Sequence, residues 1–98
     1  MTEVPAPEHL SARTKGLWRT LVVEYRFEPQ HLELLRLALE ALDRCEEARA
    51  TLAAEGSYTT DRYGGRRAHP ALAVERDSRI AAARLLRELN LDGEAIPA

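Results

Sequence analysis

Catalysis needs convergent groups, and in this sequence the side chains able to supply them stand apart. His9, His31 and His69 have no histidine partner at i+4 and no cysteine beside them, which is the spacing a metal site requires. Cys45 is the single cysteine, so it forms no internal disulfide, and no histidine is placed nearby to activate it as a nucleophile. It falls within an apolar stripe, where a small, apolar-like side chain is expected. Gly64-Gly65 is not followed by Gly-Lys-Ser/Thr and lacks dinucleotide-loop spacing, so it reads as a turn. Asp43, Glu46 and Glu47 are interleaved with Arg44 and Arg49, the pattern of a solvated helix face. The expectation is a protein with no catalytic residues, no metal and no cofactor.

Arginine is what rises above this background. The formal net charge is −2 over 98 residues, but that average hides two opposed segments. Residues 28–55 carry Glu28, Glu33, Glu40, Asp43, Glu46, Glu47 and Glu55 against three arginines, whereas residues 61–87 carry seven arginines against Asp61, Glu75 and Asp77. Arginine's planar fork suits bidentate pairing with phosphate or carboxylate. Arg62, Arg66 and Arg67 with Tyr63 among them suit a ribbon that follows a phosphate backbone or enters a groove. Salt bridges to the acidic segment, within the chain or between chains, are the other use of the same residues.

The elements that must position these side chains are helical. Alanine and leucine supply most of the apolar residues, which favours helices and excludes an all-β sandwich. Residues 1–10, with Pro5 and Pro7 and no periodicity, read as a flexible tail. Ser11 is a fitting N-cap for a first helix whose Leu17, Trp18, Leu21, Val22 and Tyr25 share one face. Pro29 and Gly56 bound a long central helix. It bears two stripes: Leu32, Leu35, Leu39 and Leu42, and a heptad seam through Leu34, Ala38, Ala41, Cys45, Ala48 and Leu52. One stripe is expected to pack within the chain and the small-residue seam against another subunit, because a chain this short with no disulfide or zinc staple has oligomerisation as its remaining support; the other reading of the two stripes is one wide face buried within the chain. Residues 57–69 form a small β-hairpin with strands of about three residues. Residues 70–92 form a C-terminal helix opened by Pro70, and 93–98 a tail. No apolar run reaches the roughly 20 residues that span a bilayer, and MTEVPAPEHL lacks the basic and apolar blocks of a secretory signal, so no membrane partner and a cytoplasmic location are expected.

The stretch TTDRYGGRRAHPALAVERDSRIAAARLLRELNLD closely resembles the C-terminal half of phage terminase small subunits. That family has an Asp-Arg-aromatic-Gly turn, here Asp61 to Gly64. A basic residue and His-Pro follow (Arg67, His69, Pro70), then a helix with an E-R-D core (Glu75 to Asp77) and a leucine-rich end. The long preceding helix is similar too, so the resemblance spans roughly residues 17–92. It implies an all-α, non-enzymatic subunit of the packaging motor. Such a subunit forms a homo-oligomeric ring, recognises viral double-stranded DNA and delivers it to the large subunit, which holds the ATPase and nuclease, in the host cell cytoplasm. Many relatives open on a longer basic extension; here Arg13, Lys15, Arg19 and Arg26 are the bases near the start. The expected DNA contacts are therefore divided between Arg13, Lys15 and Arg19 of a reduced helix-turn-helix and Arg62, Arg66 and Arg67 of the hairpin. The alternative function is an oligomeric adaptor that uses its arginines on acidic protein surfaces.

Overall fold

Helix α1 (Ala12–Glu24) starts where Ser11 adopts an extended backbone and its hydroxyl accepts from the Thr14 N–H. That cap satisfies one of the amides the first turn leaves free. Tyr25–Arg26 (β1) and the link to Glu28 then reverse the chain. Helix α2 (Pro29–Glu55) opens with proline at its first position, and the Glu28 N–H donates to His31 Nδ1 at 3.1 Å. It ends at Gly56, whose φ of 84° a side chain would strain. A hairpin of β2 (Tyr58–Thr60) and β3 (Arg66–Ala68) follows, and α3 (Pro70–Leu89) ends on Asn90 in the left-handed conformation. The computed structural model describes residues 4–91 together with Ile96 and Pro97.

α2 and α3 lie antiparallel, and their contact is built from small side chains. Ala38, Cys45 and Ala48 are buried on α2, and Ala71, Ser78 and Ala82 on α3, with Leu89 closing the far end. Residues 71, 78, 82 and 89 repeat at seven and four, one line along a helix. Small residues on both sides let the two backbones approach closely. Three members of the seam expected to face another subunit are thus buried within the chain, where α3 meets α2; Leu34, Ala41 and Leu52 remain half-buried.

α1 covers the other stripe near the start of α2, where Leu10, Trp18, Leu35, Leu39 and Leu89 form the main core. Residues 4–10 depart from the expected tail. Leu10 is 4% exposed, Ala6 packs on the core, and the Trp18 indole N–H donates to the Val4 carbonyl at 3.1 Å. The cause is tertiary, since the apolar hole beside Trp18 and the indole's need for an acceptor hold this segment. Of residues 93–98, Ile96–Pro97 (β4) pair antiparallel with Tyr25–Arg26; the remaining four lie outside the described residues.

The result is elongated, with extents of 61 × 24 × 16 Å and a radius of gyration of 17.0 Å, against about 13 Å for a compact domain of this length. One polar contact sets the position of α1. The Asp43 carboxylate accepts from the Ser11 N–H at 2.9 Å and hydroxyl at 2.6 Å, and from the buried Thr14 hydroxyl at 2.9 Å. Burial works to raise its pKa, but these hydrogen bonds outweigh burial and hold it below the usual carboxylate value. A carboxylate lowered in the folded state stabilises above its unfolded pKa of about 4 and stops doing so as pH falls through the folded value. Asp43→Asn is therefore expected to lower stability by about 2 kcal/mol at pH 7 and by much less at pH 3, read from thermal melts at both pH values.

Candidate nucleic-acid interface

The hairpin projects from the junction of α2 and α3. Its register pairs Tyr58 with Ala68, Thr59 with Arg67 and Thr60 with Arg66, and all six residues are exposed. The three pairs match the strand length expected from sequence. At the tip Asp61 organises the turn: its Oδ1 accepts from the Tyr63 and Gly65 N–H groups, each at 2.8 Å, while its carbonyl accepts from Gly64. Gly64 sits at φ 82°, the left-handed residue that three-residue hairpin loops require. A Cβ on Gly65 would lie 2.9 Å from the Asp61 carboxylate, so that position is held small by the same side chain. At the base the His69 N–H donates to the Ser57 carbonyl at 2.8 Å. His69 Nδ1 accepts from Ala71 to cap α3, and its Nε2 meets Glu55 at 2.9 Å.

Arginines and tyrosines fill this ribbon. The Arg66 guanidinium stands 4.6 Å from the Tyr58 ring centre and Arg62 stands 5.6 Å from that of Tyr63. Tyr63 is 86% exposed at the tip. Arg62, Arg66 and Arg67 have no carboxylate partner among the described residues. Stacking on tyrosine orders two of these guanidiniums without consuming their charge.

The other expected bases lie elsewhere. Arg13 faces Glu46 of α2 at 3.8 Å, and α1 runs from there back toward Tyr25, away from the hairpin. Lys15 and Arg19, at i and i+4, share one side of α1 and have no ion-pair partner among the described residues. The structure thus gathers Arg62, Arg66 and Arg67 and leaves Arg13, Lys15 and Arg19 as a separate group. The start of α2 carries paired acids. Arg36 bridges Glu33 at 2.7 Å, lowering that carboxyl, and Glu40 at 2.9 Å; burial works to raise Glu40, but His9 at 2.6 Å and then Arg36 hold it below its usual value, and the two carboxylates raise the guanidinium.

On α3, Glu75 is similarly engaged. Glu75 is disfavoured as an anion by burial, yet hydrogen bonds from Arg79 and Arg49 lower its pKa. Cys45 Sγ approaches Glu75 at 3.7 Å, and burial followed by that negative charge pushes its thiol up, leaving a poor nucleophile. Sequence reasoning missed Asp61 and His69 as the residues that hold the ribbon. An aspartate shortly before a Gly-Gly pair is the readable signal for the first.

The class defined here is an elongated all-α protein that displays a basic two-stranded ribbon. A sequence model of the family described as phage terminase, small subunit, matches residues 14–96, and the chain belongs to that family. No curated protein and no solved structure matches it. The match runs from within α1 to Ile96, so membership rests on the three helices and the ribbon together and supports a role in phage DNA packaging.

Replacing Asp61 by Ala removes the acceptor for two turn amides. The expected result is faster exchange at the Tyr63 and Gly65 amides and loss of the cross-strand contact between Thr59 and Arg67 in NMR spectra. The melting midpoint should shift by less than the equivalent of about 1 kcal/mol, because the turn is solvated.

Proposed function

We propose that this chain is the DNA-recognition subunit of a phage packaging motor. It assembles with copies of itself into a ring, binds viral double-stranded DNA in the host cytoplasm, and hands that DNA to the large subunit, itself performing no catalysis. The observation that carries this reading is the exposed ribbon on which Arg62, Arg66 and Arg67 stand without carboxylate partners among the described residues. A β-ribbon fits either groove, and guanidiniums bind phosphate oxygens bidentately. Lys15 and Arg19 supply a second, weaker set of phosphate contacts. Few cations per chain give weak binding, and a ring repeats them, so several engaged ribbons convert weak contacts into avidity.

Arg62→Ala, Arg66→Ala and Arg67→Ala together should abolish retention of duplex DNA at moderate salt. Each phosphate contact adds about 0.9 to the slope of log affinity against log salt, so the triple variant should lose roughly two to three per engaged chain. Unchanged affinity and slope would assign the arginines to an acidic protein surface instead, as an adaptor would use them. Lys15→Ala with Arg19→Ala should reduce the slope by less.

A further inference from the structure

The two faces of the ribbon differ, and each carries one arginine. Side chains alternate across a strand, so the pairs of Tyr58 with Ala68 and Thr60 with Arg66 present one face, and the pair of Thr59 with Arg67 presents the other. The diagonal stack of the Arg66 guanidinium on Tyr58, 4.6 Å from the ring centre, fixes Arg66 to the first face. Arg67 therefore stands on the opposite one. A ribbon laid flat on a duplex would turn one of these guanidiniums away from it. A ribbon entering tip-first would turn both toward phosphates, one on each wall of the groove.

The tip suits that approach. The Asp61 N–H donates to the Gly65 carbonyl at 2.8 Å, which leaves Arg62, Tyr63 and Gly64 as the loop. Tyr63 and, 5.6 Å from its ring centre, the Arg62 guanidinium form the apex. Asp61 is the one acid among residues 57–69, and its carboxylate is turned onto the Tyr63 and Gly65 N–H groups, so no acid leads the ribbon toward phosphate. The dimensions select a groove. A sheet with its side chains is about 10 Å thick, the spacing at which sheets stack. That thickness fits a major groove about 12 Å wide and exceeds a minor groove of about 6 Å. Three residue pairs at about 3.4 Å each, with the loop beyond them, reach the floor of a groove about 8.5 Å deep.

The geometry points to tip-first entry of this ribbon into the major groove of duplex DNA, with Arg66 and Arg67 on phosphates of opposite strands and Arg62 and Tyr63 against base edges. This rests on the DNA reading put forward above and divides the work of its residues. Arg66 and Arg67 supply affinity that is indifferent to sequence, because phosphates carry no sequence information. Arg62 and Tyr63 supply discrimination: a guanidinium pairs bidentately with guanine O6 and N7, and an apolar ring packs on the thymine methyl.

The test uses the full chain and a duplex that wild type enriches from a random-sequence pool, with a dimethyl sulfate footprint of the complex and binding measured across salt concentrations. Guanine N7, in the major groove, should be protected, and adenine N3, in the minor groove, should stay reactive. Arg66→Ala and Arg67→Ala should each lower the salt slope by about 0.9 per engaged ribbon. Tyr63→Ala keeps every charge and the backbone N–H that Asp61 accepts. It should leave the salt slope unchanged and lower the preference for the enriched duplex over a scrambled one by about tenfold. Protection at adenine N3, or a slope that falls for only one of the two arginines, overturns tip-first entry and leaves DNA binding standing. A pool without a preferred sequence, or a Tyr63→Ala chain with wild-type preference, overturns the base contacts. A wild-type chain that binds no duplex overturns this proposal together with the DNA reading.

Discussion

The close antiparallel contact between α2 and α3 is the constraint on which the remaining structure depends. Ala38, Cys45 and Ala48 meet a line of Ala71, Ser78 and Ala82, so the pair is held by close approach and not by large interdigitating side chains. Small side chains bury little apolar area each, and the pair gains its larger burial where Leu35, Leu39 and Leu89 meet Trp18 and Leu10. α1 therefore closes one end of the rod. At the other end α2 and α3 must be joined, and the joining segment is the ribbon, anchored by Ser57 and His69 and free beyond them. The position of the arginines at one tip of a 61 Å molecule follows from that division.

Electrostatics sharpen the same division. Along the helices, acids and bases pair locally: Arg36 with Glu33 and Glu40, Glu75 with Arg49 and Arg79. Exposed pairs of this kind add little stability one by one, but they remove acidic partners that would otherwise neutralise the ribbon. Asp61, the one acid in the ribbon, is turned inward onto the turn amides. A chain with a formal net charge of −2 thus presents a locally cationic tip.

Local signals were readable before the fold was known, and long-range ones were not. Pro29, Gly56 and Pro70 mark helix ends through backbone geometry, and the structure places the bounds at those residues. Gly64 gave the turn for the same reason. The heptad seam announced a partner helix, but periodicity carries no record of whether that helix belongs to the same chain, and the partner for Ala38, Cys45 and Ala48 is α3. The docking of Ser11 and Thr14 on Asp43 joins residues 32 and 29 apart that no spacing rule connects, and Leu10 reaches Trp18 from outside the helix whose periodicity placed the indole. Among the candidate DNA contacts, Arg62, Arg66 and Arg67 were grouped by sequence because they share one hairpin. The separation of Arg13, Lys15 and Arg19 from them depends on the direction of α1, which is a tertiary fact.

Amide hydrogen exchange with and without duplex DNA tests most directly whether the ribbon is the DNA-contacting element. The strands are exposed on both faces and only three pairs long, so in the free protein they should exchange among the fastest of the ordered segments. On adding DNA, residues 58–68 should gain protection while the buried α2–α3 contact stays unchanged. Protection that appears on α1 or the outer side of α3, with the ribbon unaltered, would contradict the account.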